Sequence, residues 1–388
     1  MNGLDKTAEH LISLISCALR RTEVKAAFLD GIDLAALFPL AQKHSVAAMV
    51  CMALEKTDVF EQADPAVKKQ WLNAKNNAIG KNILLDMDRQ ILMDEMEKAG
   101  IWHMPLKGSI LKDWYPLCGM REMSDIDILF DKTKRDQVKD IFLRHDYSVY
   151  AFGESNHDEY IKLPVYHFEM HTSLLDEHDA KELAAKYQGI TQKLLPDENK
   201  KYCLHFTPED FYVFALIHAY KHYSHSGTGV RTLADIYVMN RTIGPSMDWD
   251  YVKKEMKFLG IEAFEKNSRA LAEKIFCDTP VSQIKLTEEE RMMLQYCMNA
   301  GTLGSFESRL NGSLRSMQTN TKPITGFTKI RYCLTRLFPG PERCKNCYPF
   351  IYRHPYLLPF FWIWRFIKKI PMSKEIIQKE ISAIKSSK

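Results

Sequence analysis

Residues 121–131 read REMSDIDILFD, a segment in which two aspartates alternate with isoleucines. Side chains alternate between the two faces of a β-strand, so Asp125 and Asp127 share one face while Ile126 and Ile128 take the other. A buried carboxylate is costly unless it is paired, and two on one face oppose each other's ionisation. The segment therefore predicts a strand whose acidic face meets either water or a cation.

A cation site of this kind needs oxygen ligands from more than one segment. Two carboxylates on one face can hold hard cations such as Mg²⁺, and carboxylates that bridge two ions set them about 3.5–4 Å apart. Glu169 is the candidate third carboxylate, because it stands between apolar neighbours in YHFEMH on a later predicted strand. The alternative for Asp-x-Asp alone is the solvated edge of a loop.

A phosphate-binding turn is indicated by LKGS at 106–109. It combines a strand end, a glycine that permits close backbone approach, and Ser109 as the predicted N-cap of a helix over 109–115. Backbone N–H groups at a helix N-terminus bind anions, and Lys107 and Arg121 add charge-assisted contacts. By itself, Lys107-Gly108-Ser109 indicates only a turn.

The pattern of apolar, polar and turn-forming residues along the chain predicts five segments. Residues 1–97 carry apolar side chains at helical spacing, interrupted at Gly31, Pro39, Pro65 and Gly80, which predicts several helices. Residues 98–176 alternate strand, helix, strand, an amphipathic helix at 132–145, and further strands, which predicts a compact α/β core. Helices return over 177–300. A polar linker at 301–328 and a tail at 329–388 complete the chain.

Charge is concentrated in the tail. The whole chain has a net charge of +4, but residues 328–388 hold 13 Lys/Arg against 3 Asp/Glu, and the rest holds 40 against 46. Aromatic and basic residues together over 350–370 are typical of packing on a helical domain, of contact with an anionic membrane surface, or of nucleic-acid stacking. The helix predicted between Pro359 and Pro371 is too short to span a bilayer.

The nine cysteines are scattered and odd in number. This usage argues against a disulfide framework and predicts reduced thiols in a cytoplasmic protein, peripheral at a membrane if the tail binds one.

The order of these features resembles the nucleotidyltransferase superfamily of the DNA polymerase β type, and within it an uncharacterised bacterial nucleotidyltransferase-like branch. That branch reads LKG, then Tyr-Pro, then an arginine before DIDIL, and the helical N-terminus LAALFPLAQKHSVAAMV is also similar. The resemblance covers about residues 30–300. The matching positions are Leu106-Lys107-Gly108, Tyr115-Pro116, Arg121 to Leu129, Glu169 with His171, and His218, His222, Arg231 and Asp235.

The resemblance implies an α+β fold, with a mixed-sheet polymerase-β-type core between N-terminal and C-terminal helical domains. It implies transfer of a nucleotidyl group from an NTP such as ATP to an acceptor, with release of pyrophosphate. Asp125, Asp127 and Glu169 would hold two Mg²⁺ ions, Glu169 would accept the acceptor's proton, and Gly108 and Ser109 would cradle the phosphates.

The acceptor stays open between a small molecule, a metabolite and a protein, and nothing indicates a templated nucleic acid. A non-catalytic nucleotide-binding or partner-binding module and a toxin/antitoxin-type transferase are the alternatives.

The accessory candidates are His171, His218, His222 and Asp235, and Arg231 is a candidate for nucleotide binding. His218 and His222 are four apart and face the same way on a predicted helix, where packing is favoured over metal binding with His171 or Asp235. Arg231 and Asp235 are also four apart, which fits a salt bridge within a helix or an arginine that contacts a phosphate.

Overall fold

The computed structural model describes residues 4–153, 155–174, 193–225, 227–302, 338, 340 and 349–364. The described residues fall into two compact units. One unit comprises residues up to 220 together with 229–302, and the other comprises residues from 221 to 228 together with those beyond 302. The predicted segment boundaries remain a prediction, and the linker predicted at 301–328 lies outside the described residues except for Gly301 and Thr302.

The N-terminal part of the first unit is helical. Its α-helices are α1 (Lys6–Arg20), α2 (Leu34–Lys43), α3 (Ala47–Leu54), α4 (Asp58–Glu61) and α5 (Pro65–Lys98). Asp64 accepts hydrogen bonds from the first backbone N–H groups of α5, and Pro65 occupies its first turn. The prediction that Pro39 and Gly80 interrupt the helices is wrong, because α2 continues through Pro39 and α5 continues through Gly80. A glycine inside a helix costs only about 1 kcal/mol, which tertiary packing outweighs.

A mixed seven-stranded sheet follows, with the order β3-β4-β5-β2-β1-β7-β6. Its strands are β1 (His103–Pro105), β2 (Ile126–Phe130), β3 (Ser148–Ala151), β4 (His157–Lys162), β5 (Tyr166–His171), β6 (Leu195–Asp197) and β7 (Lys200–His205). β2 pairs in parallel with β5 and antiparallel with β1. β5 pairs antiparallel with β4, so β4, β5 and β2 are adjacent in the sheet.

Two of these strands lie beyond the predicted core. The chain was expected to be helical from 177 onward, but β6 and β7 extend the sheet next to β1. The expectation failed because KKYCLH is a short strand between polar turns, and its pairing partner β1 lies about a hundred residues earlier in the chain.

One face of the sheet forms the core with α5 and with α7 (Arg135–Arg144). Val138, Ile141 and Phe142 of α7 are buried there, as their spacing predicted. The inward-facing residues of β2, β5 and β4 alternate with the polar ones, and they are Ile126, Ile128, Phe168, Met170 and Tyr160. Strand alternation therefore leaves the opposite face of β2, β5 and β4 to polar side chains.

The other helices of the described residues up to 302 mostly follow the sheet in the chain. They are α6 (Gly108–Trp114) between β1 and β2, and then α8 (Pro208–His225), α9 (Val230–Thr242), α10 (Trp249–Phe258), α11 (Glu262–Ile275) and α12 (Glu288–Ala300). Short 3₁₀ turns occur at Ala26–Phe28, Lys132–Lys134, Gly244–Ser246, Val281–Gln283 and Pro355–Leu357. α12 begins with a capping box between Thr287 and Glu290, which fixes its first turn.

The second unit contains the short helix α13 (Pro349–Arg353) and a helical stretch at 358–364, so only the beginning of the helix predicted between Pro359 and Pro371 lies in the described residues. Over the described ranges, no helix combines the length and apolar character needed to cross a bilayer. All six described cysteines are unpaired.

The observed architecture is therefore α+β: a mixed sheet with helical flanks, as the resemblance implied.

Candidate active site

The three predicted carboxylates lie on the same face of the sheet. Asp127 of β2 is the register partner of Glu169 on the parallel strand β5. Asp125 precedes β2 by one residue and lies two residues from Asp127. Asp127 and Glu169 are far apart along the chain, so only this parallel pairing of β2 with β5 brings the two carboxylates side by side.

The same face carries more titratable residues than the sequence analysis identified. Glu159 of β4 is the register partner of Glu169, so Asp127, Glu169 and Glu159 form one row across three strands. His157 of β4 pairs in register with His171 of β5. The available signal was the spacing of His157 and Glu159, which repeats the alternation of Asp125 and Asp127. It was missed because the register between strands cannot be read from one strand alone.

Two cationic or partly cationic groups contact Asp127. Nε2 of His171 lies 2.8 Å from Oδ1 of Asp127, and Nζ of Lys107 lies 3.4 Å from the same oxygen. Lys107 has φ of 40° and ψ of −107°, a backbone conformation that non-glycine residues rarely adopt. Strained residues of this kind cost of order 1–3 kcal/mol and cluster at functional sites. The turn thus holds the ammonium group of Lys107 next to the acidic row.

The charges on this face shift one another's pKa. Burial, and then the negative charges of Asp127 and Glu169, raise the pKa of Asp125. Burial by itself would raise the pKa of Asp127, but Lys107 and His171 outweigh it and lower that pKa strongly. The approach of His171, whose Nε2 is 3.6 Å from Oε2 of Glu169, lowers the pKa of Glu169. The face therefore concentrates negative charge that His171 and Lys107 offset only in part.

The turn at 107–109 differs from its prediction in one respect. Lys107, not Ser109, is the N-cap of α6, and no side chain caps that end. Ser109 is buried, and its Oγ donates a hydrogen bond to the carbonyl oxygen of Leu106 at 2.7 Å. The serine missed the cap position because the helix begins one residue earlier, at Gly108. Its hydroxyl holds the turn closed against the end of β1.

Gly108 approaches the arginine of the motif closely. A Cβ atom at Gly108 would lie 2.6 Å from Nη1 of Arg121, so this position needs glycine unless the guanidinium moves. Arg121 is nearly buried and forms a bidentate pair with Asp235, from Nε to Oδ1 at 2.8 Å and from Nη2 to Oδ2 at 3.1 Å. The hydroxyl of Tyr115 donates to the same carboxylate at 2.7 Å. This network fixes the glycine turn to α9.

Arg231 and Asp235 therefore do not behave as the isolated helix pair considered from the sequence. Asp235 pairs with Arg121, whereas Nη1 of Arg231 donates to the carbonyl oxygen of Glu122 at 3.2 Å. Burial and the neighbouring charge of Arg121 lower the pKa of Arg231. The structure thus places Arg121, Arg231 and Asp235 in one buried network behind the turn.

The two histidines of α8 lie in different units. The charge of His218 contributes to the lowered pKa of Asp127, so this residue is near the acidic face. His222 is exposed and belongs to the second unit, where its carbonyl oxygen accepts a hydrogen bond from the N–H of Gly227 at 2.8 Å.

The donor set on this face fits a hard divalent cation. Asp125, Asp127 and Glu169 offer carboxylate oxygens from one side of the sheet, and burial together with the charges of the other two raises the pKa of Asp125. Oxygen ligands are the ones that Mg²⁺ takes in proteins, often with substrate phosphates and water in the other positions.

A mixed sheet that carries an acidic pair, a third acid on a parallel neighbour and a glycine–serine turn is the arrangement that the resemblance to nucleotidyltransferases implied. Comparison with family profiles agrees. The profile described as "Uncharacterised nucleotidyltransferase" matches residues 30–277, about two thirds of the chain, and the chain belongs to this family. Searches of curated proteins and of solved structures found no match.

Proposed function

We propose that the protein is a Mg²⁺-dependent enzyme that transfers a nucleotidyl group from an NTP to an acceptor and releases pyrophosphate. The observation that carries this proposal is the register between Asp127 and Glu169, which puts three carboxylates on the polar face of one sheet. Mg²⁺ bound to these oxygens would neutralise the triphosphate and orient it for attack.

The protein's own groups suggest how the reaction is organised. Lys107 stands 3.4 Å from Asp127 on a strained turn and is positioned to bind a phosphate oxygen. In the transfer, the acceptor oxygen bonds to the α-phosphorus, the bond from that phosphorus to the bridging oxygen breaks, and pyrophosphate leaves. Glu169 is the base on this face for the acceptor's proton, since it is partly exposed and ionised.

The buried network of Arg121, Arg231 and Asp235 does not contact the reacting groups in this proposal, but it holds the turn that carries Lys107 and Gly108. Arg121 is committed to Asp235 by two hydrogen bonds, and Ser109 is committed to the carbonyl oxygen of Leu106. We therefore assign Arg121, Arg231 and Asp235 to positioning of the turn, and phosphate binding to Lys107 and to the backbone at Gly108.

Calorimetric titration with each of the four Mg–NTPs, ATP first, tests nucleotide binding without knowledge of the acceptor. Asp127→Asn should lower the affinity for Mg–NTP by about 10–100-fold. The control is Asp140→Asn, an exposed carboxylate on α7, which packs on the opposite face of the sheet. Equal Mg–NTP affinity in the wild type and Asp127→Asn would contradict the proposal.

Transfer is measured separately, with α-labelled NTP and a cell extract as the source of acceptors. Label incorporation that needs Mg²⁺ and Asp127 supports the enzyme. Mg–NTP binding with no incorporation and no pyrophosphate release would instead support the non-catalytic nucleotide-binding module.

We also propose that the protein is cytoplasmic and that its tail contacts an anionic membrane surface. Large apolar side chains are exposed in the described part of the tail, with Phe350 65%, Tyr356 70%, Phe360 70% and Ile363 58% accessible, in a segment rich in Lys and Arg. Phe360→Ser with Ile363→Ser should reduce sedimentation with phosphatidylserine vesicles. Equal sedimentation of both proteins would contradict the proposal.

A further inference from the structure

We infer that His157, Glu169 and His171 form a second cation site that prefers a transition metal such as Zn²⁺, Mn²⁺ or Co²⁺ over Mg²⁺. The site lies beside the carboxylate pair Asp125 and Asp127. It shares Glu169 with that pair, and to this extent it rests on the proposed function.

The sheet holds the three ligand atoms close together. His157 and His171 are register partners on β4 and β5, with ring centroids 5.1 Å apart. Oε2 of Glu169 lies 3.6 Å from Nε2 of His171 and 4.0 Å from Nε2 of His157. One ligand atom from each residue falls within 4.8 Å of the other two. Bonds of about 2.1 Å to a tetrahedral ion put ligand atoms roughly 3.4 Å apart, so small side-chain rotations complete the site.

An ion can reach this cluster from solvent. The side chains of His157 and Glu169 are each 24% exposed, and that of His171 is 8% exposed. The backbone of two hydrogen-bonded antiparallel strands supports the two histidines, so binding needs no rearrangement of the chain.

The ligand types separate this cluster from its neighbour. Two imidazoles and one carboxylate form the protein ligand set of many catalytic zinc sites, and imidazole also suits other first-row transition metals. Mg²⁺ instead requires oxygen ligands, which Asp125 and Asp127 supply. One face of the sheet thus offers a hard site and a softer site joined by Glu169.

The two sites are coupled through His171. In the structure its Nε2 is engaged with Oδ1 of Asp127 at 2.8 Å. An ion bound to that nitrogen replaces its proton, and Asp127 then loses this hydrogen bond. Filling the histidine site therefore removes one of the two contacts to this oxygen of Asp127 and leaves the contact with Nζ of Lys107 at 3.4 Å.

Titration with Co²⁺ alone, without nucleotide, tests the inference through the visible absorption of the bound ion. The wild type should bind one Co²⁺ per chain at this site, and an excess of Mg²⁺ should not displace it. His157→Ala should weaken binding by at least about 10-fold. The matched control is His167→Ala, which removes a histidine from the same strand face two residues from Glu169 but outside the cluster. Far-ultraviolet circular dichroism and thermal unfolding confirm that each variant is folded.

The outcomes separate this inference from the proposed function. Co²⁺ affinity that is unchanged in folded His157→Ala, or that falls in Asp125→Asn as much as in His157→Ala, would overturn the histidine site. Absence of a Co²⁺ band in the wild type would overturn it as well. If the wild type binds Co²⁺ but does not bind Mg–NTP, this would contradict only the proposed nucleotidyl transfer.

Discussion

Carboxylates on the two faces of the sheet have different surroundings. Asp158 on β4 points into the core side and has no exposure. Its oxygens accept from Nε and Nη2 of Arg135, both at 2.6 Å, and from the N–H of Gly153 at 2.8 Å. Asp125, Asp127 and Glu169 lie on the opposite face, where burial, and then the charges of Asp127 and Glu169, raise the pKa of Asp125.

The difference shows how a structural carboxylate is distinguished from a functional one. A buried carboxylate whose hydrogen-bonding capacity is filled contributes to the folded state, and removal of its partner leaves an uncompensated charge. A carboxylate whose pKa is raised by burial and by neighbouring like charges, as that of Asp125 is, works against the folded state until a cation neutralises it. Binding and catalytic sites often contain groups that lower the stability of the folded protein, because function requires those groups there.

The largest expected effect separates the two kinds of carboxylate at Asp125. Asp125→Asn should lower Mg²⁺-dependent pyrophosphate release by about 10²–10³-fold. Its free energy of unfolding should stay equal or rise by a few tenths of a kcal/mol, because the change removes like-charge repulsion. Parallel pyrophosphate assays and urea denaturation check both quantities. A destabilised Asp125→Asn protein with normal turnover would reverse the comparison.

The opposite pattern is expected at Asp158. Asp158→Asn should lower the free energy of unfolding by about 3 kcal/mol, since it leaves the guanidinium of Arg135 without its counter-charge. Arg135 is partly exposed, at 27% of its side chain, so water limits the loss. Mg–NTP affinity of the folded protein should change less than in Asp127→Asn. Urea denaturation and calorimetry on the same preparation test this, and a stability equal to that of the wild type would contradict it.

A buried neutral histidine gives a third case, in which pH is the variable. Burial, and then the charge of Lys43, lower the pKa of His44 to about 4, and its Nδ1 accepts a hydrogen bond from the N–H of Val230 at 3.2 Å. The pKa of His44 in the folded protein lies below the ordinary value of 6.5. Neutral His44 therefore contributes its full stabilisation above pH 6.5, and this contribution is lost as the pH falls toward 4. The free energy of unfolding should drop by about 2 kcal/mol from pH 7 to 5 through His44.

His44→Gln retains an acceptor that does not titrate, so this variant should flatten the pH dependence by that amount. Urea denaturation at pH 7, 6 and 5 measures it. Identical pH profiles for the two proteins would show that His44 has no such role.

The smallest effect is expected at Gly108, where the buried network of Arg121 and Asp235 contacts the turn of the proposed nucleotide site. Gly108→Ala places a methyl group against Nη1 of Arg121, whose other nitrogens are held by Asp235. The free energy of unfolding should fall by about 1–2 kcal/mol, with weaker Mg–NTP binding because the turn shifts. Relief of the clash in Gly108→Ala/Arg121→Lys would support this explanation. Full affinity in Gly108→Ala would show that the turn does not contribute to binding.

Sequence patterns captured those features that depend on one segment at a time. The alternation in DIDIL predicted which side chains of β2 face the core, and the spacing of Val138, Ile141 and Phe142 predicted the buried face of α7. The pattern of YHFEMH indicated Glu169 as the third carboxylate, and the family resemblance supplied the α+β class and the expected role of that residue.

Features set by contacts between distant segments were not predictable. Asp235 was weighed as the partner of Arg231, four residues away, but it pairs with Arg121, 114 residues earlier. His157 and Glu159 joined the polar face only through the pairing of β4 with β5. The partner of a charged side chain depends on the register of the sheet, which local periodicity does not encode.

Diffraction from crystals soaked with Mn²⁺ and a non-hydrolysable NTP analogue tests the central claim most directly, because the anomalous signal locates the ion. We predict a Mn²⁺ peak about 2.0–2.2 Å from carboxylate oxygens of Asp127 and Glu169, with the triphosphate beside Lys107 and Gly108. A nucleotide bound elsewhere on the protein, with no ion on this face of the sheet, would contradict it.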